Sequence, residues 1–246
     1  MYFADRFPGS VIKASYAASI GKSALSDADC KAMLPLVSRL NRISVREPEA
    51  AGLIEKLTGN RPEVVVDPTI LAGKELFAPI VKSLRDRPYV LYYQLARKDN
   101  RALSLADKIA RYKNLDLVGL SGNRGLQIGK SHDVICDAGP EEFVSLIAGA
   151  DYVVTDSFHG TVFSLLFHRP FASIPKATRG GRITNLLDIA GLRNRYTDRF
   201  DRDILLKDID WGNVDNSLAR EREASEHFVT SIKGDFCLLY TSPSPR

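Results

Sequence analysis

Two hydrophobic patterns alternate along this chain, and the alternation limits its fold more than any other feature. Short runs rich in β-branched residues take turns with segments whose apolar residues recur at helical spacing. Val11-Ile-Lys-Ala-Ser-Tyr16 and Arg42-Ile-Ser-Val-Arg46 read as strands. Ala50, Leu53, Ile54 and Leu57 then mark one face of a helix, with Pro48 well placed in its first turn. Glu63-Val-Val-Val-Asp67, closed by Pro68, is a strand. Tyr89-Val-Leu-Tyr-Tyr-Gln-Leu95 is another, and Asp99 or Asn100 can cap a helix carrying Ala102, Leu105, Ala106 and Ile109. A strand over 115–120 follows, then a helix opened by Gly139-Pro140-Glu-Glu142, whose acids suit the positive end of the helix dipole. That helix buries Phe143, Leu146, Ile147 and Ala150. A strand over 151–155, an apolar helix over 160–167, a strand over 170–174 and a helix around 183–189 complete the series. The alternation predicts an α/β protein with a parallel sheet covered by helices on both faces.

The chain's 246 residues are long for one ordinary domain and short for two large ones. A seam is expected near 72–88, where Lys82-Ser-Leu-Arg-Asp-Arg-Pro88 is a polar, proline-closed, linker-like stretch. Residues 86–235 make one α/β domain of ordinary size. Residues 1–80 hold only about three strands, too few for a doubly wound domain, so they read as the rear part of a first domain whose opening strands are missing. Residues 237–246 lack periodicity and carry two prolines within four residues; they read as a non-native tail resembling translated adapter sequence.

Composition excludes several classes. Cys30, Cys136 and Cys237 are too few and too far apart for a disulfide framework or a zinc site, which fits a reducing cytoplasm. Apolar runs such as 89–96 fall far short of the roughly 20 residues that span a bilayer. Asp5 and Arg6 stand where an export signal needs an apolar core. A net charge of +4 is too mild for nucleic acid and suits an anionic small substrate. His159 and His168 lack the spacing of a shared metal site, and no metal is expected. His132 and His227, and the arginines from Arg193 to Arg202 interleaved with aspartates, read as solvated. Gly125-Leu-Gln-Ile-Gly-Lys-Ser131 falls one residue short of a phosphate-binding loop and opens no helix, so a surface loop is the better reading.

One stretch carries chemistry: Asp151-Tyr-Val-Val-Thr-Asp-Ser-Phe-His-Gly-Thr-Val-Phe-Ser164. A buried strand ends at Thr155, a turn follows, and a helix begins near Gly160. Ligands of open α/β sheets gather at the carboxyl ends of strands. Helix N-termini favour anions, and the small residues Ser157, Gly160 and Thr161 would let one approach the backbone. His159 is the one group in the turn that titrates near neutrality. The same residues also suit a purely structural turn, with Asp156 or Ser157 as cap and His159 packed.

Asp156-Ser-Phe-His-Gly160 resembles the Asp-x-x-His-Gly signature of the polysaccharide pyruvyl transferases. Further landmarks of that family match in order: Ser15-Tyr-Ala-Ala-Ser19 with Gly21, Ile43-Ser-Val-Arg-Glu47, Asp67-Pro-Thr-Ile-Leu71, Pro140-Glu-Glu-Phe143, and Arg182-Ile-Thr-Asn-Leu-Leu187 with Gly191-Leu192. They cover roughly residues 11–200. The resemblance implies two Rossmann-like domains facing a cleft, as in GT-B glycosyltransferases, with the first domain N-terminally truncated here. It implies transfer of a pyruvyl group from phosphoenolpyruvate to a sugar or lipid-linked glycan, as a cyclic ketal on two hydroxyls. No cofactor beyond the donor is implied, and the work would be done in the cytoplasm or at the inner membrane face.

The donor's phosphate and carboxylate call for cations and N–H groups. Arg46, at a strand's end, can offer a bidentate fork, and the turn at Ser157, Phe158, Gly160 and Thr161 can take the other anion. Protonating the enol methylene needs an acid, and each sugar hydroxyl a base; His159, with Asp156 beside it, is the candidate. A helix N-terminus lowers a histidine pKa whereas a bound phosphate raises it, so the two influences oppose. Many family members have Arg where this chain has Ser157; Arg179 and Arg182 are candidates to supply that charge. Two other readings stand beside this one: a GT-B-type glycosyltransferase using a nucleotide sugar, and an inactive fragment of either.

Overall fold

The computed structural model describes residues 11–22, 24–95, 100–121, 133–176 and 181–240, with side chains through 232. The described residues form two compact units, one from residues up to 71 together with 218 onward, the other from 72–217.

In the first unit β1 (Ala14–Ala18), β2 (Arg42–Val45) and β3 (Glu63–Val64) pair in parallel in that order. The register slips between Ser15 and Ala18, and Ala17 takes a positive φ of 52°. Ser44 spans this irregularity, accepting from the Ala17 N–H at 3.1 Å and donating to the Ser15 carbonyl at 3.1 Å. The strand expected over 11–16 therefore lies later, and β3 is shorter than the run that suggests it. Helix α1 (Asp27–Val37) follows β1 and is capped by Ser26 and Asp29 in a reciprocal pair. Lys22 and the Ser26 cap together hold the Asp29 carboxyl down at about 2. Helix α2 (Pro48–Thr58) opens on Pro48 as expected and buries Ala50, Ala51 and Ile54 against Val37 and Val45.

Helix α3 (Pro68–Phe77) fills what reads as the start of a linker and is interrupted at Gly73, whose φ is 73°. The two units divide at 71/72, at the start of the stretch over 72–88. The C-terminal end differs too. Helix α9 (Trp211–Tyr240) begins in the second unit, and from Leu218 it belongs to the first. Phe228 packs with Ala17 and Val65, and Ser225 accepts from the Val66 N–H at 2.9 Å. This supplies an N–H at the edge of the small sheet with a partner that strand pairing does not provide. The first four residues of the expected tail, 237–240, lie in α9; residues 241–246 lie outside the described residues.

The second unit holds five parallel strands: β4 (Tyr89–Tyr93), β5 (Asp116–Leu120), β6 (Asp133–Ile135), β7 (Tyr152–Thr155) and β8 (Phe171–Ser173), ordered β6-β5-β4-β7-β8. Helix α4 (Asn100–Lys113) packs Ala102, Leu105, Ala106 and Ile109 on Val90, Tyr92, Tyr152 and Val154. The alternate residues face the other way: Tyr93 meets Phe143 of α5 (Pro140–Gly149) edge to face at 5.1 Å, and the Tyr89 hydroxyl donates to the Leu146 carbonyl. Helix α6 (Phe158–Leu166) packs beside α5, with Phe163 on Phe143 at 5.9 Å, and α7 (Gly181–Ile189) follows β8. Helices on opposite faces make the gap between β4 and β7 the point where strand order reverses.

Arg195 departs from its expected solvated place. It is 2% exposed and donates to the carbonyls of Phe171, Leu205 and Lys207. Burial lowers its pKa, while Tyr152 opposes that shift. The guanidinium donates to carbonyls at the start of β8, at the end of the short helix α8 (Arg202–Leu205) and just after it, and the Leu205 carbonyl also accepts from the Tyr152 hydroxyl at 3.1 Å. His227 is exposed; the loop-like 125–131 stretch and His132 lie outside the described residues.

Candidate active site at the carboxyl end of the second sheet

All four residues of β7 are buried, and the chain turns directly from Thr155 into the cap of α6. The turn is built by short side chains. Thr155 Oγ1 accepts from the Ser157 N–H at 3.0 Å, and Ser157 Oγ accepts from the Gly160 N–H at 3.2 Å as N-cap. Thr161 donates to the Ser157 carbonyl at 3.1 Å or to Ser173 Oγ, 2.7 Å away. Gly160 lies so close to β7 that a Cβ there would stand 2.7 Å from Thr155 Oγ1. Ser157, Gly160 and Thr161, expected to line an anion site, are thus buried and engaged in holding helix to strand.

Asp156 is 1% exposed. Its Oδ1 accepts from the Leu95 N–H at 2.7 Å, and its Oδ2 lies 3.4 Å from Lys176 Nζ. One carboxylate therefore ties the end of β4 to the end of β7 and holds an ammonium from the segment after β8. This suits a positioning group better than a proton carrier. His159 is exposed at the helix start, its ring edge to face with Phe158 at 5.4 Å. The Arg182 guanidinium lies 5.4 Å from the centre of the Phe158 ring, a cation–π contact. The second unit thus brings His159, Phe158 and Arg182 together. Arg179 lies outside the described residues.

Sequence reasoning missed Lys176 and Tyr93. Lys176 follows a fully buried strand, the same signal that marks Asp156, and was readable there. Burial pushes the Tyr93 phenol up; a hydrogen bond with Ser157 pulls it down, and the Asp156 charge adds to the rise. It stays a neutral hydrogen-bonding group across the physiological range.

Arg46 lies in the first unit, just past β2, with its N–H on the Ala18 carbonyl at 3.1 Å. Its Nη1 pairs with Asp67, and its Nε is 3.8 Å from Glu47 Oε1. Glu47 is buried and accepts from the Ser19 hydroxyl at 2.6 Å, while Asp67 Oδ1 accepts from the Thr69 N–H at 3.0 Å. One cation among two carboxylates is an oriented fork in a locally acidic setting. Among the described residues no group of three His, Cys, Asp or Glu side chains could hold a metal ion, and no helix is long and apolar enough to cross a membrane.

A buried aspartate and an exposed histidine thus stand at the carboxyl edge of the parallel sheet of an α/β protein, where such sheets gather ligands. The polysaccharide pyruvyl transferase family model matches residues 1–175, and the chain belongs to that family. No protein of curated function matches its sequence. Among solved structures it is similar to MnaA of S. aureus in a complex with UDP, at 14% identity and a TM-score of 0.52, covering 94% of this chain and 70% of that one. It is also similar to the UDP-GlcNAc 2-epimerase of Methanocaldococcus jannaschii, at 12% identity and a TM-score of 0.52. That match covers 85% of this chain and 63% of the epimerase. These likenesses establish the α/β fold with parallel Rossmann-like sheets of the GT-B kind.

Proposed function

We propose that this chain moves a pyruvyl group from phosphoenolpyruvate to sugar hydroxyls of a polysaccharide or glycan precursor, forming a ketal and releasing phosphate. The observation that carries this reading is the signature turn itself. His159 is exposed at the start of α6, next to a carboxylate that holds Lys176 in place. The donor is the only cofactor-like molecule the reading needs. The work is placed in the cytoplasm, peripheral to the inner membrane face where the acceptor is lipid-linked.

Lys176 and Arg182 supply the positive charge that a dianionic donor requires, in place of an arginine at position 157. His159 protonates the methylene carbon of the enol, and positive charge develops at the carbon bearing the phosphate. A sugar hydroxyl adds to that carbon, and its proton passes to the imidazole. The second hydroxyl then displaces phosphate: a C–O bond to the sugar forms, the C–O bond to phosphate breaks, and the hydroxyl proton leaves with the phosphate. Asp156 orients Lys176 throughout. Arg46 of the first unit, held by Asp67, is assigned an anion-binding role by its fork at a strand's carboxyl end.

The test is phosphate release from phosphoenolpyruvate with a panel of lipid-linked sugars, together with heat protection of the chain. Phosphoenolpyruvate should raise the melting temperature and nucleotide sugars should not. Protection by nucleotide sugars alone would replace this reading with a glycosyltransferase.

A further inference from the structure

The carboxyl edge of the second sheet has a polar row on the α4 face that the reaction above does not fully use. Strand alternation puts Gln94 on the same face as Tyr92, and Asp156 on the same face as Val154. The parallel register pairs Tyr92 with Val154 and Val154 with Ala172, so Gln94 and Asp156 sit side by side above a buried apolar layer. Lys176, paired with Asp156, closes the row. Gln94 is only 9% exposed. Its Oε1 accepts from the Tyr92 hydroxyl, but its Nε2 is buried without a hydrogen-bond partner.

A buried amide N–H₂ with no partner costs about 1–3 kcal/mol. A strand end could avoid that cost with an apolar residue. The group stands where strand order reverses, the place at which open α/β sheets bind ligands. Its neighbour in the row, Asp156, holds the ammonium of Lys176, and the edge of the same unit presents His159.

We infer that Gln94 is a substrate-reading residue: its Nε2 donates to an anionic oxygen of the bound donor, in a subsite it shares with Lys176. The inference rests on the proposed function only for the identity of the donor. The shared chemistry is a carboxylate or phosphate oxygen. With the Tyr92 hydroxyl on Oε1, Nε2 is the end of the amide left for the ligand.

The experiment is a direct binding titration of the full chain with phosphoenolpyruvate, pyruvate, inorganic phosphate and UDP, with melting temperature measured on the same samples. The variants are Gln94→Glu and the double variant Tyr92→Phe/Gln94→Met. Gln94→Glu keeps size and the acceptor for Tyr92 but replaces the donor. The double variant removes both polar groups, so it should melt no lower than the parent. Each folded variant should bind the anion about ten- to a hundredfold more weakly, the worth of a hydrogen bond to a charged group. Loss for pyruvate as well as phosphoenolpyruvate assigns Gln94 to the carboxylate; loss for inorganic phosphate assigns it to the phosphate. Unchanged affinity in either folded variant overturns the inference while leaving the pyruvyl reading intact. Binding of UDP alone, lost in the variants, upholds Gln94 and overturns the pyruvyl reading. A parent chain that binds none of the four overturns both.

Discussion

Replacing Gly160 by alanine tests whether the glycine of the signature serves chemistry or packing. The new methyl would stand 2.7 Å from Thr155 Oγ1, 3.0 Å from its Cγ2 and 3.2 Å from its Cβ. Thr155 is fully buried and its Oγ1 accepts from the Ser157 N–H, so it has no free direction in which to yield. Overpacking of this kind costs about 1–3 kcal/mol. Rotating Thr155 away strands the buried Ser157 N–H, for about another 1–3 kcal/mol. Alanine's better helix propensity returns at most about 1 kcal/mol. The net is a loss of about 1–5 kcal/mol. With about 3 kcal/mol as the centre, and about 2–4 °C per kcal/mol for a protein of this size, melting should fall by about 6–12 °C. The assay is a double-mutant cycle with Thr155→Ala, followed by calorimetry. Thr155→Ala removes the two nearest obstructing atoms, Oγ1 and Cγ2, and leaves only the Cβ at 3.2 Å, so Gly160→Ala should cost less in that background. A Gly160→Ala protein as stable as the parent, or equal costs in both backgrounds, would refute the close-approach argument.

Other perturbations separate roles within the site. His159→Gln should lower turnover by about 10²–10⁴-fold with the melting temperature nearly unchanged, because the side chain is exposed. Near-normal turnover in the stable variant would end its assignment as acid. Arg46→Lys keeps a charge but loses the fork to Asp67, and phosphoenolpyruvate titration should show weaker binding. If Arg46 and Asp67 form only a cross-link, Arg46→Lys and Asp67→Asn will both lower the melting temperature and leave affinity alone. Arg195→Met removes the donor to the Phe171 and Lys207 carbonyls, while the Leu205 carbonyl keeps the Tyr152 hydroxyl, and should cost about 2–6 kcal/mol in chemical denaturation, without changing the pH profile of turnover. Asp29, held at about 2, contributes stability that is complete above the ordinary carboxylate range and lost as pH falls through its folded value. An NMR titration of its carboxyl should therefore give a midpoint well below that of an unpaired aspartate.

The sequence made the second sheet legible because its central strands are buried on both faces, and such strands read as unbroken apolar runs. Tyr152 to Thr155 is the plainest case. Elements lacking that signature escaped notice. Helix α1 carries Pro35 inside it and buries only Val37 fully, so its period is faint. The edge strand β6 is three residues long and half-buried. Helix α9 buries Val214, Leu218, Ser225 and Phe228 among charges, a stripe too sparse and too polar to separate from a solvated helix. Arg195 read as surface because aspartates surround it in sequence. Loop carbonyls needing donors leave no trace in a list of residue types.

The site was legible as a turn and not as a constellation, and strand order is the reason. Asp156 and Lys176 are brought together because β7 and β8 are parallel neighbours, with Thr155 opposite Ser173. Leu95 reaches Asp156 because β4 is the neighbour on the other side, with Tyr93 opposite Thr155. Local pattern predicts that strands exist but says little about which lie side by side. The same geometry gives the two neighbouring residues of the turn separate tasks. The aspartate faces α4 and pairs with a cation from the segment after β8, whereas Ser157 faces α6 and is consumed in capping it. The cap of α6 and the carboxylate that holds Lys176 thus come from neighbouring residues on opposite faces of the sheet. A change at position 157 alters the cap first and leaves the Asp156–Lys176 pair in place.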